Sequence, residues 1–280
     1  MKATSTLLDG LCFAEGPRWR DGKLWFSDMH AHRVCTLDAR GDMEVVVDVP
    51  MQPSGLGWLP DGRLLIVSML DRKLLTYSDG RLAEFADLSK LARYHCNDMV
   101  VDHSGRAYVG NFGFDLHNNQ QPVATELIMV SPDGHAQVVA DDLLFPNGTV
   151  ITPDNKTLIV GETFAARLTA FDIAEDGTLS ERRVWAQLEG AVPDGICLDE
   201  AGGIWVASPV SNEALRVLEG GEVTDRIKVE TQAYACMLGG QDNRQLFILT
   251  AGSSDPVQCQ QEKDGKIELF EVEFAGTGLP

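Results

Sequence analysis

The sequence predicts an all-β chain folded as a six-bladed β-propeller, on three observations. A tight turn followed by a short apolar strand recurs six times, and the recurrences lie 40 to 51 residues apart. The intervals carry further strand pairs with no helical stretch of consequence. A period of this length with several short strands per period is the mark of a propeller; a barrel or a sandwich would not explain the repeat.

The six units read "DGKLWFSD" (21–28), "DGRLLIVS" (61–68), "SGRAYVGN" (104–111), "DNKTLIVGE" (154–162), "AGGIWVAS" (201–208) and "DNRQLFILT" (242–250). They align on Leu24, Leu64, Ala107, Leu158, Ile204 and Leu246. Asp-Gly, Ser-Gly, Asp-Asn and Gly-Gly tolerate the positive φ that tight hairpin turns need. The runs after them are rich in Val, Ile, Leu and Trp, which suit strands. Outer strand pairs fill the intervals, as "RLTAFDI" and "RRVWAQL" do around "AEDGTLSE". "KIELFEVEF" (266–274) is expected to pair with "STLLDGLCF" (5–13) and so complete the last blade. With no linker in sight, residues 1–280 read as one propeller domain.

Forty-two acidic against 23 basic residues give a formal charge of −19. Such a charge opposes phosphate backbones and anionic membranes, so neither nucleic acid nor membrane is an expected partner. No run approaches the roughly 20 apolar residues of a membrane span. The segment from Met1 lacks the apolar core of a signal peptide, which leads us to expect a cytoplasmic protein, monomeric or a small homo-oligomer. Six scattered cysteines without a C-x-x-C pair suit reduced thiols and exclude zinc-finger spacing.

A second pattern lies 9 to 11 residues ahead of each aligned position: "EGPRW", "SGLGW", "NDMVVD", "NGTVITPD", "DGICLDE" and "CMLGGQD". Equivalent residues of successive blades form a ring, here Glu15, Ser54, Asn97, Asn147, Asp194 and Cys236. Taken singly these are ordinary turn formers. If they sit on the innermost strands, two carboxylates and two amides converge on one axis, a costly burial unless something occupies it. Their oxygens suit hard divalent cations. A further ring, Asp28, Ser68, Asn111, Glu162, Ser208 and Thr250, is also polar and is expected to face the same pocket.

"EGPRW", "NDMVVD" with "SGRAYVG", "PNGTVITPD" and "VPDGICLDEAGGIWVA" together resemble the SMP-30/gluconolactonase/regucalcin-like family along essentially the whole chain. The resemblance implies a six-bladed propeller holding one divalent metal (Ca²⁺, Zn²⁺, Mg²⁺ or Mn²⁺) and hydrolysing a small lactone. It also implies that Glu15, Asn147 and Asp194 ligate the metal and that Asp194 doubles as general base. Asn97 and, in the loop after "GNF", Asp115 would contact substrate. Sugar-lactone members tend to carry an Arg two residues before the equivalent of Asn97. This chain has His95 there, so a less hydroxylated or more apolar lactone is expected, with His95 helping to orient it. The loop 112–126 is a candidate specificity lid. Another metal-dependent hydrolase (of organophosphates or aryl esters) or a non-catalytic binding propeller are the alternatives.

Other chemistries lack their residues. There is no G-x-S-x-G elbow and no H-E-x-x-H. His30 and His32, in "DMHAHR", read as a solvated loop, and "DIAEDGTLSERR" lacks the ligands of a calcium loop.

Overall fold

The computed structural model describes residues 4–118 and 120–278. Met1–Ala3, read above for a targeting segment, and Asn119, within the loop 112–126, lie outside the described residues. The described residues form six antiparallel four-stranded sheets. These are the blades of a β-propeller, as the repeat predicts. In the first, Ala14–Arg20, Lys23–Asp28, Arg33–Leu37 and Met43–Asp48 run outward in chain order.

The aligned repeats are the second strands of the blades. Leu64–Ser68, Ala107–Asn111 and Ile204–Ser208 are buried along their whole length, because each is packed against a neighbouring blade on both faces. That double burial is why they read as continuous apolar runs rather than alternating ones. The core is correspondingly divided into layers between blades. Leu65 and Val67 of the second blade, for example, pack with Met99, Val109 and Ile128 of the third.

The sixth sheet closes the circle. Its order is Gln232–Gly239, Gln245–Ala251, Gly265–Glu271 and then Ser5–Leu11 from the start of the chain. Ser5 pairs with Leu269 and Thr6 with Glu268, as expected from 5–13 and 266–274.

The "EG", "SG" and "NG" steps, turn-like by composition, fall inside the innermost strands. Pairing register breaks between Glu15 and Arg18, Pro53 and Leu56, Cys96 and Met99, and Pro146 and Thr149. These are bulges, which bend a strand and re-aim its side chains. The glycine after the ring residue lets the next blade come close. At Gly148 a Cβ would stand 2.5 Å from the Asp194 carbonyl oxygen. Gly148→Ala is therefore expected to cost about 1–3 kcal/mol through overpacking, read as a lowered urea midpoint.

One helix was not anticipated. Pro256–Glu262 starts at Asp255, whose carboxylate accepts the Gln258 N–H at 2.9 Å, with Pro256 in the first turn. Both are ordinary N-terminal helix signals. The helix is docked on the top face, where Gln260 Nε2 donates to the His30 carbonyl at 3.0 Å. No helix among the described residues is long and apolar enough to cross a membrane.

Candidate metal centre and active site

Inner-strand bulges bring Glu15, Asn97 and Asn147, and the chain entering a regular inner strand brings Asp194, to the floor of one cavity of 430 Å³ on the top face. All four are nearly buried, between 5% and 9% exposed. Asp194 precedes the short strand Ile196–Leu198 and is fixed by its own backbone N–H on Ala207 O at 3.0 Å. The neighbouring Gly195 N–H donates across the blade boundary to Tyr234 O at 2.7 Å. Asn147 Nδ2 donates to Asp194 Oδ1 at 2.6 Å and to Thr163 Oγ1 at 3.3 Å. Glu15 Oε2 accepts the Gly16 N–H at 2.9 Å.

The electrostatics of this floor are unbalanced. Burial, and then the facing Asp194 carboxylate, push Glu15 well above the ordinary carboxylate range. Burial pushes Asp194 up as well, against the opposing bond from Asn147. Arg18 is close below but is bonded to Asp98 at 2.8 Å and to the carbonyls of Pro17 and Met99. Two buried carboxylates facing each other without an ion pair of their own carry an uncompensated cost of burial. Among the described residues no three His, Cys, Asp or Glu side chains converge. The donor set is thus two carboxylates and amide oxygens, the hard ligands that Ca²⁺, Mg²⁺ and Mn²⁺ accept. With its nitrogen committed to Asp194 and Thr163, Asn147 has its amide oxygen free.

His95 lines the cavity and is stacked on Tyr94, with ring centroids 4.1 Å apart. Burial lowers its pKa, so the ring is neutral near pH 7. Asp115 is placed differently. It does not line the cavity, and its carboxylate accepts Asn118 Nδ2 at 2.8 Å and the Asn118 N–H at 3.2 Å within its own loop.

Two readings of the sequence need correction. The further polar ring does not face the pocket. Its members stand towards the ends of the second strands, where Asp28, Glu162 and Ser208 hold the chain that enters their blades, while Ser68 bonds Asp71, Asn111 bonds Gly113, Thr125 and Glu126, and Thr250 bonds Glu268. Asp28 Oδ1 accepts the N–H groups of Cys12 and Phe13, each at 3.0 Å, and its other oxygen takes Arg33. Glu162 accepts Leu144 N at 2.9 Å and pairs with Arg167. Ser208 accepts Val192 N at 3.1 Å. Polarity at these positions satisfies buried backbone donors.

His30, read as solvated, is 4% exposed and lines the cavity. Met29–Ala31 forms a single 3₁₀ turn rather than a strand, so His30 and His32 do not share a side. Gln52 Nε2 donates to His30 Nδ1 at 3.3 Å, which leaves Nε2–H to donate to Ser254 O at 3.3 Å. Burial lowers the His30 pKa to about 4 and keeps it neutral.

Glu162 carries a testable consequence. Burial alone would raise its pKa, but bonds from Arg167, Thr169 and the Leu144 N–H hold it below the ordinary value. Its stabilisation is therefore complete above the usual glutamate pKa and is lost as pH falls through that range and below. Glu162→Gln is expected to cost about 1–3 kcal/mol at pH 7 and to flatten the acid limb of a melting-temperature profile. An acid limb identical to the wild type's would contradict this.

Comparison with known proteins matches residues 13–252 to the family described as SMP-30/Gluconolactonase/LRE-like region. The chain belongs to this family. Its relatives include a 6-deoxy-6-sulfogluconolactonase of Pseudomonas putida, 29% identical over 85% of this chain and 82% of the relative. A pentonolactonase of Haloferax volcanii is 27% identical over 98% of this chain and 95% of the relative. Among solved folds, a calcium-binding protein, regucalcin, from Agrobacterium tumefaciens superposes with a TM-score of 0.83, covering 99% of this chain and 96% of that one at 22% identity. The family's propeller is therefore the fold of this chain.

Proposed function

We propose that this chain is a metal-dependent lactonase that opens a small lactone to its hydroxy acid. The observation that carries the reading is the buried Glu15–Asp194 pair, joined by Asn147, at the floor of an open cavity. Two relatives named as lactonases support it. Glu15, Asn147 and Asp194 would hold the ion. A divalent ion bound there polarises an ester carbonyl and lowers the pKa of a bound water.

The chain's own residues supply the rest. Asn147 fixes Asp194 Oδ1, leaving Oδ2 to take the proton of the attacking water as general base. Asn97, held by its bond to the Pro146 carbonyl at 3.4 Å, and the neutral His95 ring orient the lactone from the same side. The six cysteines are unpaired, which fits the cytoplasm as its place of work.

The test is hydrolysis of a lactone panel by metal-stripped protein to which Ca²⁺, Mg²⁺, Mn²⁺ and Zn²⁺ are restored singly. Turnover should return with at least one ion. If metal binds tightly and no lactone is opened, while an aryl ester or an organophosphate is, the chemistry belongs to that other ester.

A further inference from the structure

We infer that the lactone this site opens carries an aromatic ring, selected by a collar of side chains one layer above the Glu15–Asn147–Asp194 floor. The inference rests on the lactonase reading. Four of the residues two places before a ring position stand just ahead of an inner strand, and the fifth stands at a register break within one. The positions two before Glu15, Ser54, Asn97, Asn147 and Cys236 are Phe13, Gln52, His95, Phe145 and Tyr234, and all five line the cavity. Four of the five are flat rings. Phe13 meets Tyr234 edge-on at 4.6 Å, and Phe145 meets Phe112 at 4.4 Å.

Phe145 is held there against its backbone preference. Its φ of 62° lies in the left-handed region that a bulky residue rarely adopts. Leu144 N–H on Glu162 and Thr163 N–H on the Phe145 carbonyl pin the chain on either side. Strain of this kind persists where surrounding structure enforces it, and it gathers at ligand sites.

Much of the polar wall of the cavity is already occupied with itself, which leaves Asn97, His95 and His117 as its open partners. Gln52 is bonded to His30 and His30 to the Ser254 carbonyl. Tyr234 Oη donates to Gln232 Oε1 at 2.6 Å, and Gln232 Nε2 to the Gly252 carbonyl at 3.0 Å. Among the described residues no Lys or Arg lines the cavity. A polyhydroxylated lactone would bring several hydroxyls that each lose water here and find few free partners, a costly exchange. An aryl lactone asks for polar contact only at its ester, which is where the floor supplies it. At the lip, Phe164 and Val210 are 43% and 68% exposed, so the apolar wall continues outward from Phe145.

The test uses metal-loaded protein and matched γ-butyrolactones bearing phenyl or butyl on the γ-carbon, with gluconolactone beside them. The ester and the type of leaving alkoxide are the same in the matched pair, so the ratio reads the substituent. kcat/KM is expected to favour phenyl over butyl by up to roughly tenfold, the range of aromatic pairing, with gluconolactone poorest. A preference for gluconolactone, or butyl equal to phenyl, overturns the collar and leaves the lactonase reading standing. If no lactone is opened, the lactonase reading fails, and calorimetry with the non-hydrolysable phenyl γ-lactam decides the collar. Tighter binding than the unsubstituted lactam upholds it, and equal binding overturns it. Phe112→Leu and the exposed Phe164→Ala should each lower the phenyl-to-butyl ratio; a ratio unchanged in both overturns the assignment. Should Phe112→Leu misfold, Phe164→Ala alone decides.

Discussion

Asp194→Asn is expected to lower kcat by about 10²–10⁴-fold, the usual contribution of a positioned base, while the protein stays folded. Asn is nearly isosteric and keeps an oxygen to accept the Asn147 amide, which now donates at 2.6 Å. What disappears is the carboxylate oxygen, Asp194 Oδ2, proposed to receive the proton beside the lactone. Because burial opposes the charge on Asp194, its loss should leave the melting temperature of the metal-free protein unchanged or raise it. Near-wild-type turnover would remove Asp194 from the role of base. A collapsed fold would mean that the side chain acts mainly as a strut between the blades.

The second large effect has opposite signs with and without metal. Glu15→Gln removes one of two facing buried carboxylates. Each unit by which a buried carboxyl is pushed above its ordinary pKa reflects about 1.4 kcal/mol of unfavourable burial, so metal-free Glu15→Gln should melt higher than metal-free wild type. The wild type should gain stability steeply as divalent ion is added, since a ligand that binds only the native state stabilises by mass action. The variant should gain little and hydrolyse nothing at ion concentrations that saturate the wild type. A wild type whose melting temperature ignores every divalent ion would remove the metal from this floor.

The two variants act at a site whose scaffold was legible in the sequence for a plain reason. The second strand of every blade is apolar on both faces and is bounded by a tight turn, so the period stands out without any long-range information. Glu15, Asn147 and Asp194 were legible because they recur at a nearly constant offset from those strands. Their roles came from a family resemblance, since turn-like dipeptides such as Asn147-Gly148 give no hint that they bulge inside a strand.

What could not be read depends on local geometry or on partners distant in sequence. His30 required knowing that Met29–Ala31 turns as a 3₁₀ helix and not as an extended strand. Phe13, Phe145 and Tyr234 look like core residues in any apolar count. Phe13 and Phe145 reach the cavity from the chain that enters an inner strand, and Tyr234 from a register break within one. Asp28 and Glu162 were visible as a polar ring, but their ligands are backbone donors of the entering chain, which carry no sequence signature. Asp115 shows the reverse: a carboxylate at a suggestive position that is committed to its own loop.

The way the circle is closed bears on how the protein can be made. The outermost strand of the sixth blade, Ser5–Leu11, is synthesised before the rest of the propeller, and its partner Gly265–Glu271 is the last of the propeller's strands. Thr4 and the Glu268 carboxylate it bonds are 264 residues apart. Five blades can form as they leave the ribosome, each from contiguous chain, but the sixth cannot. Until then Ser5–Leu11 is an unpaired edge, the kind of segment that recruits other chains. Ribosome-bound intermediates from which Gly265–Glu271 has not yet emerged should thus be the species most dependent on chaperones.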